Sequence, residues 1–238
     1  VGSTVARLSW VFRVVLVVGA GALLVTSTTV AIGPRLWRIA NAHQETPVEL
    51  PDFAALAQRS YAYDAAGREI AVFELENSQP IAFDDIPEHV VDAFLAVEDN
   101  EFWVHNGVNV RSLFRAVLSN FATDGPTQGA STITMQVVKN DYMAGFERDG
   151  RYKVLQATYA VRLEKSKSKE EILERYLNTV FFGQNSYGIA AAAETYFGKP
   201  VQQLSFVEAA FLAGLVQAPS SYDPINNPER SRTRFEQV

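Results

Sequence analysis

The chain has 238 residues, of which 47% are hydrophobic and 20% are charged, and its formal net charge is -6. Proteins that bind duplex nucleic acid are usually basic, so this balance argues against a nucleic-acid partner. The sequence contains no cysteine, which excludes disulfides, thiol nucleophiles and thiolate metal sites, and its three histidines are too scattered to suggest a zinc site.

An uncharged apolar segment, Val14–Ile32, lies near the start of the chain. As a helix it would rise about 28 Å, close to the hydrocarbon thickness of a bilayer. Trp10 and Trp37 flank it, as interfacial aromatic residues do. The pattern predicts a cytoplasmic tail over residues 1–13 and a transmembrane anchor over 14–33, with a cleaved signal peptide as the alternative.

Residues 34–80 are predicted to form a juxtamembrane segment that contains a hairpin over Ser60–Glu74, where alternating residues flank a "DAAG" turn. Helical patterns then follow one another, and each of three helices is preceded by a possible capping box. The predicted helices cover residues 88–99, 110–121, 153–165, 169–178 and 206–218, and apolar residues recur through 133–140. The possible capping boxes are Asp85 with Glu88, Ser168 with Glu171 and Ser205 with Glu208. The sequence therefore predicts a mainly α domain over residues 81–226. Residues 227–238 are interpreted as the start of a linker to a further domain.

Two adjacent acids end the first of these helices, in "FLAVEDNEFWVHNG" (Phe94–Gly107). Glu98 lies four residues after Phe94 and seven after Val91, so at helical spacing it shares their apolar face. A carboxylate among apolar neighbours loses hydration, which raises its pKa and makes it a better general base. For an isolated pair of acids, a solvated helix end is the ordinary interpretation.

The surrounding residues resemble the signatures of the family 51 glycosyltransferases, the peptidoglycan polymerases. The first signature is matched by Glu98, Asp99, Phe102, His105 and Gly107. The second is matched by Gly129, Ser131, Thr132, Thr134 and Gln136, with Met135 in place of a glutamine. "ILERYLN" (Ile172–Asn178) and "YGIAAAAETYFGK" (Tyr187–Lys199) resemble two later signatures in the expected order.

The resemblance implies a lysozyme-like helical domain on the outer side of the bacterial cell membrane, carried by a single membrane-spanning helix. Its substrates would be lipid II and a nascent glycan strand on polyprenyl pyrophosphate, and other cell-wall synthesis proteins would be possible partners. Glu98 matches the glutamate that deprotonates the acceptor 4-hydroxyl, which then attacks the donor with inversion. Because the leaving group is a pyrophosphate, cations would stabilise it.

Further residues are expected to bind substrate. Lys139, Arg148 and Lys153 match basic positions of the family, and Arg151 stands between the last two. For this basic group alone, a solvated helix face or a patch facing anionic lipid is the alternative. The full set of candidates is Asp99, Phe102, His105, Ser131, Thr132, Gln136, Lys139, Arg148, Arg151 and Lys153.

The third signature departs from the family pattern Arg-Lys-x-x-Glu. The matching frame here is "YKVLQ", so Tyr152 stands for the arginine and Gln156 takes the catalytic position of the second glutamate. A glutamine forms hydrogen bonds but carries no charge. The departure leaves a non-catalytic scaffold that binds lipid II as one alternative, with a lysozyme-like glycan hydrolase as another. It also weakens the expectation of Mg²⁺ or Mn²⁺, which some family members use, and the sequence does not identify metal ligands.

Overall fold

The computed structural model describes most of the chain from residue 49 onward and parts of the preceding region. The described residues are 21, 23, 26–27, 29–34, 37–39, 41–45, 49–56, 58, 60–73, 77–112, 115 and 131–238. The predicted anchor lies partly outside them, and its described residues are helical. Among all the described residues, no helix is both long enough and apolar enough to cross a membrane. The predicted helix 110–121 also lies largely outside the described residues.

The described residues fall into two compact units. The first unit combines residues up to 47 with residues 147–155, and the second combines 48–146 with 156–238. In the first unit a short 3₁₀ turn, Ala42–Glu45, follows the N-terminal helical residues. Ile39 packs so closely on Gly150 that a Cβ at residue 150 would lie 3.0 Å from its Cδ1. The acid pair and both sheets belong to the second unit.

Helices dominate the described structure, as the sequence predicts. Those with both ends described are α1 (Glu88–Glu98), α2 (Ile133–Asp141), α3 (Tyr152–Ser166), α4 (Lys169–Thr179), α5 (Ile189–Phe197), α6 (Phe206–Val216) and α7 (Pro228–Gln237). Further 3₁₀ turns cover Phe83–Asp85 and Val201–Gln203. The mainly α prediction is confirmed.

The predicted hairpin is present as β1 (Ser60–Tyr63) and β2 (Glu69–Phe73), which pair antiparallel. Its turn is stabilised by the carboxylate of Asp64, which accepts hydrogen bonds from the backbone N–H groups of Ala66 and Arg68 at 2.8 and 2.9 Å. Such local bonds from Asp to the next residues are a common way to close a turn.

A second, very small sheet has no counterpart in the sequence prediction. It contains β3 (Asn77–Ser78), β4 (Phe181–Gly183) and β5 (Ser186–Tyr187) in the order β3-β5-β4, with β3 parallel and β4 antiparallel to β5. Gln184 and Asn185 make the β4–β5 turn with φ of 47° and 56°. Strands of two or three residues are too short to show an alternating pattern.

Two of the three predicted capping boxes are formed. Ser168 and Ser205 each accept the backbone N–H of the glutamate three residues on, and that glutamate binds back to the serine N–H. The prediction for Asp85 with Glu88 is wrong. Pro87 is the N-cap of α1 and makes no side-chain cap, because Asp85 belongs to the preceding 3₁₀ turn.

The core is built where α1 packs along α6 and α2 packs against α4. Its largest fully buried side chains include Phe94, Phe102, Tyr176, Phe182, Leu177 and Leu212. The rings of Phe94 and Phe182 meet edge to face, with centroids 5.8 Å apart. This packing brings the C-terminus of α1, which carries the acid pair, next to the N-terminus of α2.

Candidate active site

Glu98 lies at the last position of α1, one turn beyond the buried Phe94. Its side chain is half-buried, and its Oε2 accepts a hydrogen bond from Gln136 Nε2 of α2 at 2.7 Å. Burial raises the pKa of the Glu98 carboxyl, while the Gln136 bond and the charge of Arg234 oppose that rise and the charge of Asp99 adds to it. The net direction is upward, as the apolar spacing predicts.

Asp99, the neighbouring acid, is the C-cap of α1 and is almost completely buried. Its Oδ2 accepts the backbone N–H of Ile133 at 3.0 Å and faces His105 Nε2 at 2.8 Å. The carboxylate thus lies at the N-terminus of α2, where free N–H groups and the helix dipole favour a negative charge. Asp99 therefore joins the end of α1 to the start of α2.

His105 has its two ring nitrogens in different roles. The Gly107 N–H donates to Nδ1 at 3.1 Å, so the ring proton is on Nε2 and is donated to Asp99. Gly107 has φ of 89°, and a Cβ at this residue would lie 2.6 Å from the backbone of Ala160. The first-signature glycine is therefore needed both for its conformation and for this close approach.

A partly buried ion pair continues the network on the other side of His105. Lys169 Nζ donates to Glu164 Oε1 at 2.8 Å and lies 3.5 Å from His105 Nδ1. The same ammonium lies 4.4 Å from the centroid of the Phe102 ring, which favours a cation on its face. Glu164 also accepts the hydroxyl of Thr134 at 2.5 Å. Neither Glu164 nor Lys169 was a sequence candidate, although Lys169 follows the recognised cap Ser168.

Thr132 is the N-cap of α2. Its Oγ1 accepts the Met135 N–H at 3.1 Å and donates to the Gly107 carbonyl at 2.7 Å. Ser131, directly before it, is half-buried. The Ser-Thr pair of the second signature thus begins the helix that carries Gln136.

Four of the predicted substrate-binding residues have side chains that are enclosed by the protein. Asp99, Phe102, His105 and Thr132 are all enclosed, with side-chain exposures of 3% for Asp99 and 7% for His105. Their polar atoms are bonded within the protein. The hydrogen bonds of Asp99, His105 and Thr132 join the ends of α1 and α2 beside Glu98, and a role for all four residues in binding substrate stays a prediction.

The predicted cations are distributed over both compact units. Lys139 is exposed on α2, one turn after Gln136 and hence on the same face of the helix. In the first unit, the Arg148 guanidinium lies 6.0 Å from the Tyr152 ring, Arg151 pairs with Asp149 at 2.9 Å, and Lys153 is exposed. A role for these four cations at a pyrophosphate stays a prediction.

Arg234 is a cation that the sequence analysis missed, because residues 227–238 were interpreted as a linker. These residues contain α7, which packs against α6. Arg234 Nε donates to the Gly214 carbonyl at 3.1 Å, and the guanidinium lies 5.8 Å from the Tyr222 ring. Its charge is close enough to Glu98 to lower the pKa of that carboxyl. The available sequence signal was Pro228, a residue favoured at helix starts.

Tyr176 of α4 is a second residue that the sequence analysis missed. The side chain is fully buried, and its hydroxyl has no hydrogen-bond partner among the described residues. Burial, together with the charges of Glu98 and Asp99, raises the pKa of Tyr176 well above its ordinary value. The phenol is therefore neutral and lies within electrostatic range of the acid pair.

Gln156, the residue at the second-glutamate position, is 1% exposed, and its Nε2 donates to the Met135 carbonyl at 2.7 Å. A catalytic role for it stays a prediction. Among the described residues, no group of three or more His, Asp or Glu side chains is placed to hold a metal ion. The expectation of Mg²⁺ or Mn²⁺ stays a prediction.

These features agree with the comparisons with known proteins. The family model described as Transglycosylase matches residues 66–238. This chain belongs to the transglycosylase family. The predicted resemblance to the family 51 glycosyltransferases is therefore confirmed at the level of the family.

Several curated relatives of this transglycosylase chain are penicillin-binding proteins. It is 45% identical over 172 residues to penicillin-binding protein 1A of Neisseria flavescens, covering 72% of this chain and 21% of the relative. It is 41% identical over 177 residues to penicillin-binding protein 1A of Aquifex aeolicus, covering 74% of this chain and 24% of the relative. With penicillin-binding protein 1F of Bacillus subtilis the identity is 38% over 175 residues, with the same two shares.

The crystal structure of penicillin-binding protein 1A from Haemophilus influenzae is a solved neighbour. Its TM-score is 0.42 at 28% identity, and the match covers 78% of this chain and 18% of the neighbour. The transglycosylase chain therefore spans about a quarter or less of the length of these relatives.

Proposed function

We propose that this chain is a peptidoglycan glycosyltransferase domain that polymerises lipid II into β-1,4 glycan strands. The observation that carries the proposal is the state of Glu98, a half-buried carboxylate with a raised pKa at the end of α1. A base of this kind takes a proton near neutral pH more readily than a solvated carboxylate does. Membership of the transglycosylase family supports the same reaction.

In the proposed reaction Glu98 removes the proton from the 4-hydroxyl of the acceptor, lipid II. The freed oxygen forms a bond to the anomeric carbon of the donor strand as the bond from that carbon to the pyrophosphate breaks. Attack from the opposite face inverts the anomeric centre, and polyprenyl pyrophosphate leaves as an anion. Lys139, Arg148, Arg151 and Lys153 are the residues proposed to stabilise that anion, because a pyrophosphate needs positive charge rather than a proton to leave.

The proposal includes a lysozyme-like domain held at the outer face of the bacterial cell membrane by a single N-terminal span. Three large apolar side chains near the first signature support contact with lipid. Trp103, Val104 and Val110 are 49%, 83% and 72% exposed. Exposed apolar groups this close to a site that takes a lipid-linked substrate fit the boundary of a bilayer.

The test is polymerisation of lipid II by the purified protein in detergent, with products separated by size. Wild type is expected to make long strands, and Glu98→Gln is expected to lose at least about 100-fold in rate, the usual contribution of a general base. Asp92→Asn is the matched control, because Asp92 is an exposed acid on α1. Polymer formed by Glu98→Gln at the wild-type rate would remove Glu98 as the base.

The same purified protein can be used to distinguish the proposed function from its two alternatives. A lipid II-binding scaffold, which the glutamine at residue 156 favours, would bind lipid II and make no strand. A lysozyme-like hydrolase would shorten preformed glycan and would not require the lipid pyrophosphate. Strand synthesis by wild type contradicts the first alternative, and dependence on the pyrophosphate contradicts the second.

A further inference from the structure

The first turn of α2 is fixed from several sides. The N–H of Ile133 is bonded to Asp99, and the hydroxyl of Thr134 is bonded to Glu164. The next residue, Met135, gives its carbonyl oxygen to Gln156. Gln136, which follows, donates to Glu98. Each residue of this turn is therefore tied to a neighbouring segment of the chain.

α3 holds this turn through two long side chains. Gln156 reaches the Met135 carbonyl at 2.7 Å, and Glu164, two turns further along α3, reaches Thr134. Residues eight apart on a helix lie on the same side, so both contacts come from one side of α3. Met135, which accepts the bond from Gln156, directly precedes Gln136, the residue that donates to Glu98.

The Gln156 contact requires a hydrogen-bond donor. A backbone carbonyl only accepts hydrogen bonds, so the nitrogen of the Gln156 amide must face Met135. An ionised glutamate has no donor, and at this position it would bring two acceptor oxygens together out of contact with water. A protonated glutamate could donate the bond, and burial would raise its pKa, so the bond would form at low pH and be lost as the pH rises.

We propose that Gln156 is a positioning residue, an inference that rests on the proposed function. Its amide fixes the position of the first turn of α2 and so aligns Gln136 with Glu98. The difference from the family glutamate is then a change in how the turn is held. The amide is required in this chain, and a carboxylate does not restore activity at this position.

The experiment compares Gln156→Glu and Gln156→Met with wild type in the lipid II assay and in thermal unfolding, both measured from pH 5 to pH 8. Gln203→Glu and Gln203→Met are the matched controls, since Gln203 is an exposed glutamine. The unfolding measurement does not depend on the reaction. Failure of wild type to polymerise lipid II would therefore count against the proposed function, while the unfolding arm would still test the Gln156 contact.

The two variants are expected to differ in their pH dependence. In Gln156→Glu the folded state favours the protonated acid, so the stability of the variant is greatest below the unfolded pKa of glutamate and falls as pH rises. Its turnover number should be about tenfold below wild type at pH 8 and recover towards pH 5 relative to wild type, with little change in KM. Gln156→Met should lose turnover by a similar factor at every pH, because it has neither donor nor charge.

Three results would overturn the proposal. The first is a faster turnover of Gln156→Glu than of wild type at pH 8, which would mean that the carboxylate takes part in the reaction. The second is a stability of Gln156→Glu, relative to wild type, that does not change with pH, which would mean that the side chain contacts water. The third is a lower unfolding temperature of Gln156→Met with an unchanged turnover number, which would mean that the amide stabilises the fold without aligning the base.

Discussion

The hydrogen bond from Gln136 to Glu98 is the contact that most directly controls the proposed base. It is short, at 2.7 Å, and it favours the charged form of the carboxyl, whose pKa burial otherwise raises. Replacing Gln136 with methionine keeps a side chain of similar length and removes the donor. The Glu98 carboxylate then loses its hydrogen bond while its burial stays the same.

The size of the effect follows from the type of bond. A hydrogen bond to a charged group contributes about 1.5–3 kcal/mol, and 1.36 kcal/mol corresponds to about one pKa unit. The proton-accepting form of Glu98 is the carboxylate, so the acid limb of the kcat/KM profile follows the pKa of this group in the free enzyme. Gln136→Met should move that limb to higher pH by about one unit or more. Activity is then lost at the acid end of the range and is retained above the limb.

The assay is the rate of lipid II polymerisation from pH 4.5 to pH 8.5, with Gln203→Met as the control for an exposed glutamine. The control should leave the acid limb where wild type has it. An unmoved limb in Gln136→Met would refute the reasoning, because the carboxyl that titrates in the profile would then not be the one bonded to Gln136. A limb that moves to lower pH would refute the assigned direction of the bond's effect.

Three further outcomes are expected from the buried polar groups. Asp141→Ala should lower the free energy of unfolding in urea by about 3–5 kcal/mol, because it leaves the Arg175 guanidinium without the carboxylate that accepts two of its hydrogen bonds at 2.8 Å. The double variant Asp141→Leu/Arg175→Met should recover part of that loss. Tyr176→Phe should stay within about 0.5 kcal/mol of wild type by the same measurement, because its hydroxyl has no partner among the described residues, and a larger loss would indicate a bond through water. Glu98→Gln should unfold at a higher temperature than wild type at pH 8, and the difference should shrink towards pH 4, because ionisation of the half-buried carboxyl opposes folding above its raised pKa. An equal difference at both pH values would contradict this.

Features that depend on neighbouring residues were predictable from the sequence. The capping boxes at Ser168 and Ser205 are local patterns of four residues, and the hairpin depends on one turn and its flanking alternation. The half-buried position of Glu98 was predictable for the same reason, because its shared face with Phe94 follows from the helical repeat. The capping-box prediction failed at Asp85, because this residue belongs to a separate 3₁₀ turn that precedes α1.

Features that depend on distant parts of the chain were not predictable in this way. Arg234 is placed by its bond to Gly214 on α6, and no pattern near residue 234 indicates that contact. Gln156 and Met135 were each noted as departures from the family signatures, but their hydrogen bond follows from the arrangement of α2 and α3 in space. The burial of the signature residues likewise could not be predicted, because a polar side chain in a signature can face either a substrate or a neighbouring helix.

The two adjacent acids at the end of α1 have different hydrogen-bond partners, because the backbone N–H at the N-terminus of α2 is bonded to Asp99 and not to Glu98. Asp99 accepts a backbone N–H and an imidazole N–H, so its charge is stabilised by groups that hold the two helices together. Glu98 accepts one amide N–H in half-buried surroundings, and the charge of its neighbour further raises its pKa. The different bonds suit the two carboxyls to different roles. Those of Asp99 hold the two helices together, and Glu98 is the carboxylate that we propose accepts a proton during the reaction.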